Sequence, residues 1–325
     1  MVSIFCERAM HTIGAHTQRK IIRRVQSKKL MINRRFWLRV SNVVCYSNHL
    51  MPLSDKPVYV TGNDGLATRI SGQWARRKHH YLGNYCGIAT GAVGKKWPGG
   101  VVYLDVMAGP GRCREEATSE EFDGSPLIAL KHDFAAYYFV EDHPEGFAAL
   151  KERLRNHTKR GCIQLFNESW IDLVAKGELQ FDARTLVVAF IDPTGISAVP
   201  MSAIQTLMRN PHIDLLLTIQ YALGIVLNAP QFTRSEGENT VLDHFLGSTE
   251  WRQWQCKDSS ELGRRAIESF CAKIEASGFK GARHISVPET RPLYRFAYFS
   301  RHVLGAKLWH EILKIDEKGQ RELSL

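Results

Sequence analysis

A short apolar run followed by a glycine turn constrains the fold more than any other stretch of this chain. Val101–Leu104 is apolar and bounded by turn residues, which is typical of a strand buried on both faces of a parallel sheet. Asp105 lies near its end, and Gly109, Pro110 and Gly111 then form a tight turn. Glycines there let a ligand approach the backbone closely. In an open α/β sheet, ligands bind outside the carboxyl ends of the strands, so this turn is the expected floor of a crevice.

The residues after the turn argue against a dinucleotide, whose turn runs straight into a helix that holds the pyrophosphate. Segment 112–123 carries five carboxylates and two arginines, a balance that repels phosphate. The next helix is predicted to begin only at Ser125, as N-cap, with Pro126 as its first residue. A cationic ligand such as S-adenosylmethionine (SAM) fits better, since Asp105 could face its sulfonium or ammonium. Alternatively, segment 112–123 is a solvated loop away from any ligand.

Positive charge is concentrated at the start of the chain. The 325 residues carry a net charge of +10. Residues 1–50 hold ten Lys or Arg and one acid, Glu7, which leaves 33 basic and 32 acidic residues in the rest. The remainder is nearly neutral, so its overall charge gives no reason to expect nucleic-acid binding there.

The basic leader, residues 1–50, has three interpretations. Its Arg/Lys pairs and near-absence of acids are typical of an organellar transit peptide or of a nucleic-acid-binding arm. The third, which we favour, is an upstream extension before a start at Met51. We therefore expect little fixed structure before Met51 and one domain over residues 51–325, with a helical insert at about residues 221–282.

The seven cysteines are scattered and form no Cys-x-x-Cys pair. Their odd number and spacing argue against a disulfide framework and a zinc site, and they suit a reducing cytoplasm. No window approaches the ~20 apolar residues that a membrane span requires. We expect a cytoplasmic protein without a bound metal.

Strands and helices alternate through the middle of the chain, which predicts β-α-β units and a parallel sheet. The predicted strands are 101–106, 137–141, 162–166, 185–191 and 214–220, followed by an antiparallel pair at 285–287 and 294–300. An amphipathic helix is predicted over Leu66–Ile88, with Arg76, Arg77 and Lys78 on its solvent side.

Polar side chains follow four of these strands. Asp105, Glu141 and Asp192 end the first, second and fourth, and Asn167 follows the third. Because parallel strands end at one edge of a sheet, these groups are expected to meet there. Glu141 is placed to accept hydrogen bonds from ribose hydroxyls and Asn167 to read an adenine edge. Each group alone could instead be a helix cap or a turn former.

Several blocks, taken in order, resemble the three-Cys-motif partner proteins (TcmP), over roughly Gly65 to Leu313. The blocks are Asp105–Gly111, Asp123–Leu130, Phe139–Asp142, Phe190–Gly195, Phe245–Trp251 and Phe299–Gly305. The resemblance implies a Rossmann-like class I methyltransferase fold: a mostly parallel seven-stranded sheet, helices on both faces and an antiparallel last strand. The cysteines of the family's name belong to a radical-SAM-like partner, usually encoded alongside.

The resemblance also implies SAM as cofactor. Asp105, Gly109 and Gly111 would hold its methionine part, and Glu141 its ribose. The other candidate cofactor-binding residues are Ala108, Pro110, Asp142 and Asn167.

Asp192, Pro193 and Thr194 are the candidate catalytic residues. They occupy the place where amino-methyltransferases carry Asp/Asn-Pro-Pro-Tyr/Phe. Thr194 and Gly195 replace the second proline and the aromatic residue. That aromatic ring stacks on a flipped base, so its absence argues against base methylation.

Three functions follow from this sequence. The first is a SAM-dependent methyltransferase in which the protein positions the reactants and Asp192 orients or deprotonates the acceptor. The second is a non-catalytic SAM- or nucleotide-binding subunit of the radical-SAM-like partner. The third is a nucleic-acid-modifying enzyme with a basic face around residues 76–78 and 264–265, although such runs are usually solvated helix faces.

Overall fold

A computed structural model describes residues 57–235, 237, 239–287 and 292–315, together with three short strands within residues 38–52. The chain divides into two units, Met1–Asp55 and Lys56–Leu325. In the first, strands β1 (Leu38–Val40), β2 (Val43–Tyr46) and β3 (His49–Pro52) form an antiparallel sheet in that order. The expected lack of fixed structure before Met51 stays a prediction for residues 1–37, which lie outside the described residues, whereas these three strands fall within or next to the range before Met51.

The second unit alternates strands and helices over most of its length. Its described strands are β4 (Tyr59–Thr61), β5 (Ala67–Ser71), β6 (Val101–Asp105), β7 (Arg112–Glu115), β8 (Glu121–Asp123), β9 (Ala136–Val140), β10 (Ile163–Phe166), β11 (Leu186–Ile191), β12 (Ile213–Ile219), β13 (Lys280–Val287) and β14 (Tyr294–Ser300). Its described α-helices are α1 (Ala75–Ile88), α2 (Ser125–Ala129), α3 (Pro144–Arg153), α4 (Trp170–Lys176), α5 (Met201–Leu207), α6 (Ala229–Arg234), α7 (Val241–Leu246), α8 (Ser259–Ala276) and α9 (Val303–Leu313).

The central sheet has the strand order β10-β9-β6-β11-β12-β14-β13. Neighbours from β10 to β12 pair in parallel, whereas β14 runs antiparallel to both β12 and β13. The last strand in the sequence is thus inserted, reversed, between the fifth and sixth strands of this sheet. This is the Rossmann-like class I methyltransferase fold, and it confirms the predicted fold class.

Helices cover both faces of this sheet because its strands are apolar on both sides. Alternate residues such as Leu104, Ala189 and Leu217 belong to a buried cluster that includes Leu173 of α4 and Phe270 of α8. The residues between them point the other way. On that opposite face, the rings of Tyr298 and Phe296 pack on Trp309 of α9, with centroid separations of 5.3 and 5.5 Å. Tyr85 of α1 contacts the same ring at 6.2 Å.

A second sheet, of order β4-β5-β7-β8, corrects two sequence-based predictions. The predicted helix Leu66–Ile88 was wrong over its first third, because residues 67–71 form β5 and the helix begins at Ala75. β5 pairs antiparallel with β4 and parallel with β7. Segment 112–123 is likewise a hairpin of β7 and β8 rather than a loop. Because β7 pairs with β5, the acidic segment 112–123 lies beside the first strands of the second unit.

The first residues of α2 also differ from the prediction. The N-cap is Gly124, and Ser125 and Pro126 are the first two helical residues. Gly124 can approach the glycine turn closely, since its amide donates to the Gly111 carbonyl at 2.8 Å. The Ser125 hydroxyl is thereby freed from capping, and it hydrogen-bonds to the Asp105 carboxylate.

The segment after β12 is mostly helical before β13 begins. It contains α6, α7 and α8, and an 18-residue helix, α8, is the longest of them. Buried residues of α7 and α8 extend the apolar cluster on one face of the sheet, with Phe245 and Phe270 stacked at a centroid separation of 4.2 Å. In the part of the chain that the structure describes, no helix combines the length and apolarity that crossing a membrane requires.

Candidate functional site

The glycine turn after β6 has the conformation that its residues predict. Gly109 and Gly111 have positive φ angles of 62° and 83°, which side chains other than glycine adopt at a cost. The Ala108 amide donates to the Val140 carbonyl at 2.8 Å, so the turn is tied to the end of β9. A Cβ atom built on Gly109 would meet no other atom of the described structure within 4 Å, whereas one on Gly111 would press on Leu150 at 3.0 Å. Open space therefore adjoins Gly109 but not Gly111.

Glu141 is joined to this turn directly. Its carboxylate accepts a hydrogen bond from the Gly109 amide at 2.6 Å and another from the His143 amide at 2.9 Å. Burial raises the pKa of Glu141, and the hydrogen bonds from His143 and Gly109 oppose that rise. The second strand-end acid thus lies against the glycine turn, as the parallel sheet requires.

Asn167 and Asp142 lie at the rim of the same edge. The Asn167 side-chain amide donates to the Glu141 carbonyl at 2.8 Å, so the ends of β9 and β10 are linked. Both residues are exposed. Their predicted contacts with a cofactor stay predictions, but their positions are open to a ligand from solvent.

Asp105 lies beneath the turn and not in its mouth. Its side chain is fully buried, and it accepts hydrogen bonds from the Met107 amide and the Tyr103 hydroxyl, both at 3.3 Å. Burial raises the pKa of Asp105 to about 7, although the hydrogen bond from Ser125 opposes the rise. These contacts fix the bend between β6 and the glycines. Pro110, within the bend, is buried as well.

Asp192 directly follows β11, on the other side of β6 from Glu141. It is paired with a lysine that was predicted to face solvent. Lys78 of α1 forms a salt bridge with the Asp192 carboxylate, and the two side chains are only 8% and 14% exposed. The prediction that Lys78 lies on the solvent side of its helix was therefore wrong. Burial alone would raise the pKa of Asp192, but the charges of Lys78 and Arg69 outweigh it and lower the pKa.

Pro193 and Thr194 continue the chain beyond Asp192. The Pro193 carbonyl accepts a hydrogen bond from the Gln220 side chain at the end of β12, at 2.7 Å. One oxygen of the Asp192 carboxylate and the Pro193 carbonyl thus already have a donor from within the chain. Thr194 is partly buried.

The second sheet and helix α3 together supply three residues that were not predicted from the sequence. Arg153 of α3 donates to the Pro110 carbonyl at 2.6 Å and to the Ala67 carbonyl at 2.7 Å, so it ties the turn to β5. Tyr59 of β4 packs on His143 with ring centroids 4.9 Å apart. Burial and the charge of Glu141 raise the pKa of Tyr59. Arg69 of β5 is paired in register with Tyr59 on one side and Cys113 on the other.

One of the missed residues had a detectable signal. Lys78 stands three, four and seven residues before Tyr81, Leu82 and Tyr85, which are buried, so its position lay within the apolar stripe of α1. A lysine at such a position needs a buried carboxylate as partner. Arg153 and Arg69 had no such signal, because their partners depend on a sheet that the sequence analysis did not predict.

Comparison with known proteins finds similarity in solved structures alone. No model of a known protein family matches the chain, and no curated protein does. A protein of Legionella pneumophila shares 12% identity with a TM-score of 0.45, over 77% of this chain and 94% of that one. A candidate methyltransferase of Escherichia coli shares 13%, with a TM-score of 0.38 over 76% and 99%. A third similar structure, a candidate methyltransferase of Streptococcus mutans in complex with S-adenosylhomocysteine (SAH), shares 7%, with a TM-score of 0.38 over 71% and 98%. At these identities and TM-scores the likeness says nothing about the activity of this chain.

Among the described residues, no group of three His, Cys, Asp or Glu side chains is arranged to hold a metal ion. The groups available for chemistry at this edge of the sheet are single carboxylates, backbone amides and the cationic side chain of Lys78. Glu141, Gly109 and Asn167 are joined by hydrogen bonds on the β9 side of the turn, and Lys78 and Asp192 pair on the β11 side.

Proposed function

We propose that this chain is a SAM-dependent methyltransferase-like protein of the TcmP type, acting with a three-Cys-motif radical-SAM-like partner. The observation that carries the proposal is the contact between Glu141 and the Gly109 amide at the carboxyl ends of adjacent strands. It places a carboxylate and a glycine turn with open space beside it on one edge of a class I methyltransferase sheet.

The residues present fit this cofactor. Among the described residues, no atom lies within 4 Å of a Cβ built on Gly109, which leaves room against the backbone. Glu141, a residue that is 7% exposed, can accept hydrogen bonds from ribose hydroxyls with its carboxylate. When bound, SAM supplies an electrophilic methyl group on its sulfonium. The protein's own residues would bind and orient: Glu141 by accepting hydrogen bonds, and Asp105 by holding the turn from below.

Asp192 is better suited to orient an acceptor than to take its proton. Its pKa is lowered, because the charges of Lys78 and Arg69 outweigh the effect of burial, and a carboxylate with a low pKa is a weak base. An amine acceptor would also have to displace Lys78 from Asp192 and Gln220 from the Pro193 carbonyl. These contacts favour an acceptor that is not an amine.

Calorimetric titration of SAH tests the proposal. The wild-type protein is expected to bind it, and Glu141→Gln is expected to weaken binding about tenfold or more, because a neutral amide is a poorer acceptor than a carboxylate. Glu145→Gln, an exposed change in the first turn of α3, is the matched control and is expected to bind like wild type. An absence of SAH binding by the wild-type protein would reject the cofactor assignment.

The second candidate is a non-catalytic SAM-binding subunit of the same partner. The pairing of Asp192 with Lys78 and the substitution of Thr194-Gly195 for a proline and an aromatic residue favour it. Co-purification with the radical-SAM-like protein addresses both candidates. Association without methyl transfer, with SAM bound, supports the subunit, and failure to associate at micromolar concentration counts against the partner.

A further inference from the structure

The side chain of Arg69 on β5 has no ion-pair partner among the described residues. Arg69 is half-buried on β5, and in the described ranges of the chain its guanidinium forms neither a hydrogen bond nor an ion pair with another side chain or carbonyl. Its register partner Tyr59 packs on His143, two residues after Glu141. Burial is the largest influence on the pKa of both Glu141 and Asp192, and it acts to raise each. The charge of Arg69 acts in the opposite direction on both; the pKa of Glu141 is still raised overall, whereas that of Asp192 is lowered. Arg69 is thus the register neighbour of a residue that packs beside the end of β9, and its charge acts on the carboxylates after β9 and β11.

Glu141 and Asp192, the two carboxylates whose pKa the charge of Arg69 acts to lower, already have other partners. Glu141 accepts from the Gly109 and His143 amides, Asp192 pairs with Lys78, and Asp105 is closed off beneath the turn. His79 brings no negative charge, and burial lowers its pKa to about 3, so its ring is neutral. A guanidinium has five donors and no acceptor, so any of its donors that lie away from water are costly unless an acceptor reaches them.

We propose that Arg69 is an anion-binding residue that takes a carboxylate entering the space beside Gly109. A planar guanidinium holds a carboxylate by two parallel hydrogen bonds, which suits it to this group. Two molecules could bring the carboxylate: the methionine part of SAM, or the methyl acceptor. The first source rests on the proposed function, whereas the anion-binding role of Arg69 does not.

The first arm of the test compares two adenosine ligands by calorimetry. SAH carries the amino-acid carboxylate, and 5′-methylthioadenosine lacks it. If the cofactor supplies the carboxylate, wild type prefers SAH, Arg69→Gln reduces that preference about tenfold or more, and Arg69→Lys restores part of it. Arg155→Gln, whose side chain is 68% exposed, is the matched control and keeps the wild-type preference. Melting temperatures and amide spectra establish that each variant is folded.

The second arm uses acetate as the probe and the Arg69 guanidinium as the reporter. The Nε–Hε cross-peak of Arg69, assigned by its loss in Arg69→Lys, is followed in ¹⁵N-labelled wild-type protein during titration with acetate. We expect acetate to shift this peak in the complex with 5′-methylthioadenosine. If acetate no longer shifts the peak once SAH is bound, the carboxylate of the cofactor occupies Arg69. If acetate still shifts the peak in the SAH complex, Arg69 is left to bind the carboxylate of the methyl acceptor.

Failure of the two proposals can be told apart. Wild-type protein that binds neither adenosine ligand contradicts the cofactor assignment, and the acetate titration of the free protein then still tests Arg69. An unchanged preference for SAH in Arg69→Gln together with no acetate shift in the wild-type protein overturns the anion-binding role.

Discussion

At Gly109, backbone conformation and free space act together. The positive φ of 62° disfavours most residues on conformational grounds, while in the described structure a methyl group would meet no neighbouring atom within 4 Å. The two effects make separate predictions for folding and for binding. A substitution here can therefore separate the demands of the turn from those of a ligand.

Gly109→Ala is expected to cost about 1–2 kcal/mol of stability, because alanine is strained at positive φ. It is also expected to abolish SAH binding, since its methyl group enters the space that the ligand needs. Gly278→Ala is the matched control: Gly278 has a φ of 86° and nothing within 4 Å of an added Cβ. Thermal unfolding should show similar losses for both variants, and calorimetry a loss of binding for Gly109→Ala alone. Normal SAH binding by Gly109→Ala would contradict the placement of the ligand.

Asp105 makes stability depend on pH in a direction opposite to that of most acids. Burial raises its pKa to about 7 in the folded protein from 3.8, so the folded state holds a proton that the unfolded state has lost. Its contribution is full below about pH 4 and is lost as pH rises to about 7. The free energy of unfolding of the wild type is expected to fall by up to a few kcal/mol between pH 4 and 8 because of this group, and Asp105→Asn should remove that fall. Denaturant unfolding over this pH range measures it. An identical pH profile for the variant and the wild type would show that Asp105 does not titrate in this range.

At the scale of elements, one ion pair fastens α1 to the end of β11. Lys78 and Asp192 are 114 residues apart in the chain and mostly buried. The pair is expected to hold the helix over the strand ends where the candidate site lies. Removal of one charge leaves the other without a partner in a buried place, which is more costly than removal of both.

Lys78→Met is expected to destabilise the protein by about 3–5 kcal/mol, and the double variant Lys78→Met/Asp192→Asn should recover most of that loss. Lys151→Met, an exposed change on α3, serves as the control and should alter stability by less than about 0.5 kcal/mol. Chemical denaturation of these three variants, of the single variant Asp192→Asn and of the wild type measures the coupling. Additive losses in the double variant would mean that the two charges do not interact.

The central sheet was predictable because its signals are local. Apolar runs such as 186–191 and 213–219 are buried along their whole length, and each of β6, β9 and β11 is followed within one residue, or ended, by a carboxylate. Parallel pairing then brings Glu141 to the Gly109 turn without further information.

The second sheet was not predictable in the same way. β4 and β8 have three residues each, and β5 pairs with β7, which lies more than 40 residues later. Strands this short carry little periodicity, and their stability depends on pairing across the sequence. The periodicity of residues 66–88 therefore predicted a helix where residues 67–71 form a strand, and the contacts of Arg69 and Arg153 followed only from the structure.

At the scale of the whole molecule, charge and the methyltransferase-like sheet belong to different parts of the chain. Residues 1–50 carry nearly all of the net charge, while the second unit, Lys56–Leu325, contains the seven-stranded sheet and the candidate site. Nucleic-acid binding, if the full chain shows any, should therefore depend on the leader.

A chain that begins at Met51 should bind SAH with the affinity of the full chain. Its binding to duplex DNA at low salt should be about tenfold weaker or more, and salt should affect it less, since fewer basic residues release counterions. Fluorescence anisotropy over a salt series measures this, with calorimetry for SAH. Strong, salt-dependent DNA binding by the shortened chain would instead support a nucleic-acid-modifying enzyme.

The central claim is that the carboxyl edge of this sheet is a SAM site. A crystal structure of the full chain grown with SAH tests it most directly. The account predicts ligand density against the Gly109 backbone, with the ribose hydroxyls on Glu141 and the sulfur directed towards Asp192. Density at another edge of the sheet, or a ligand that avoids Glu141 while the protein binds SAH in solution, would contradict it.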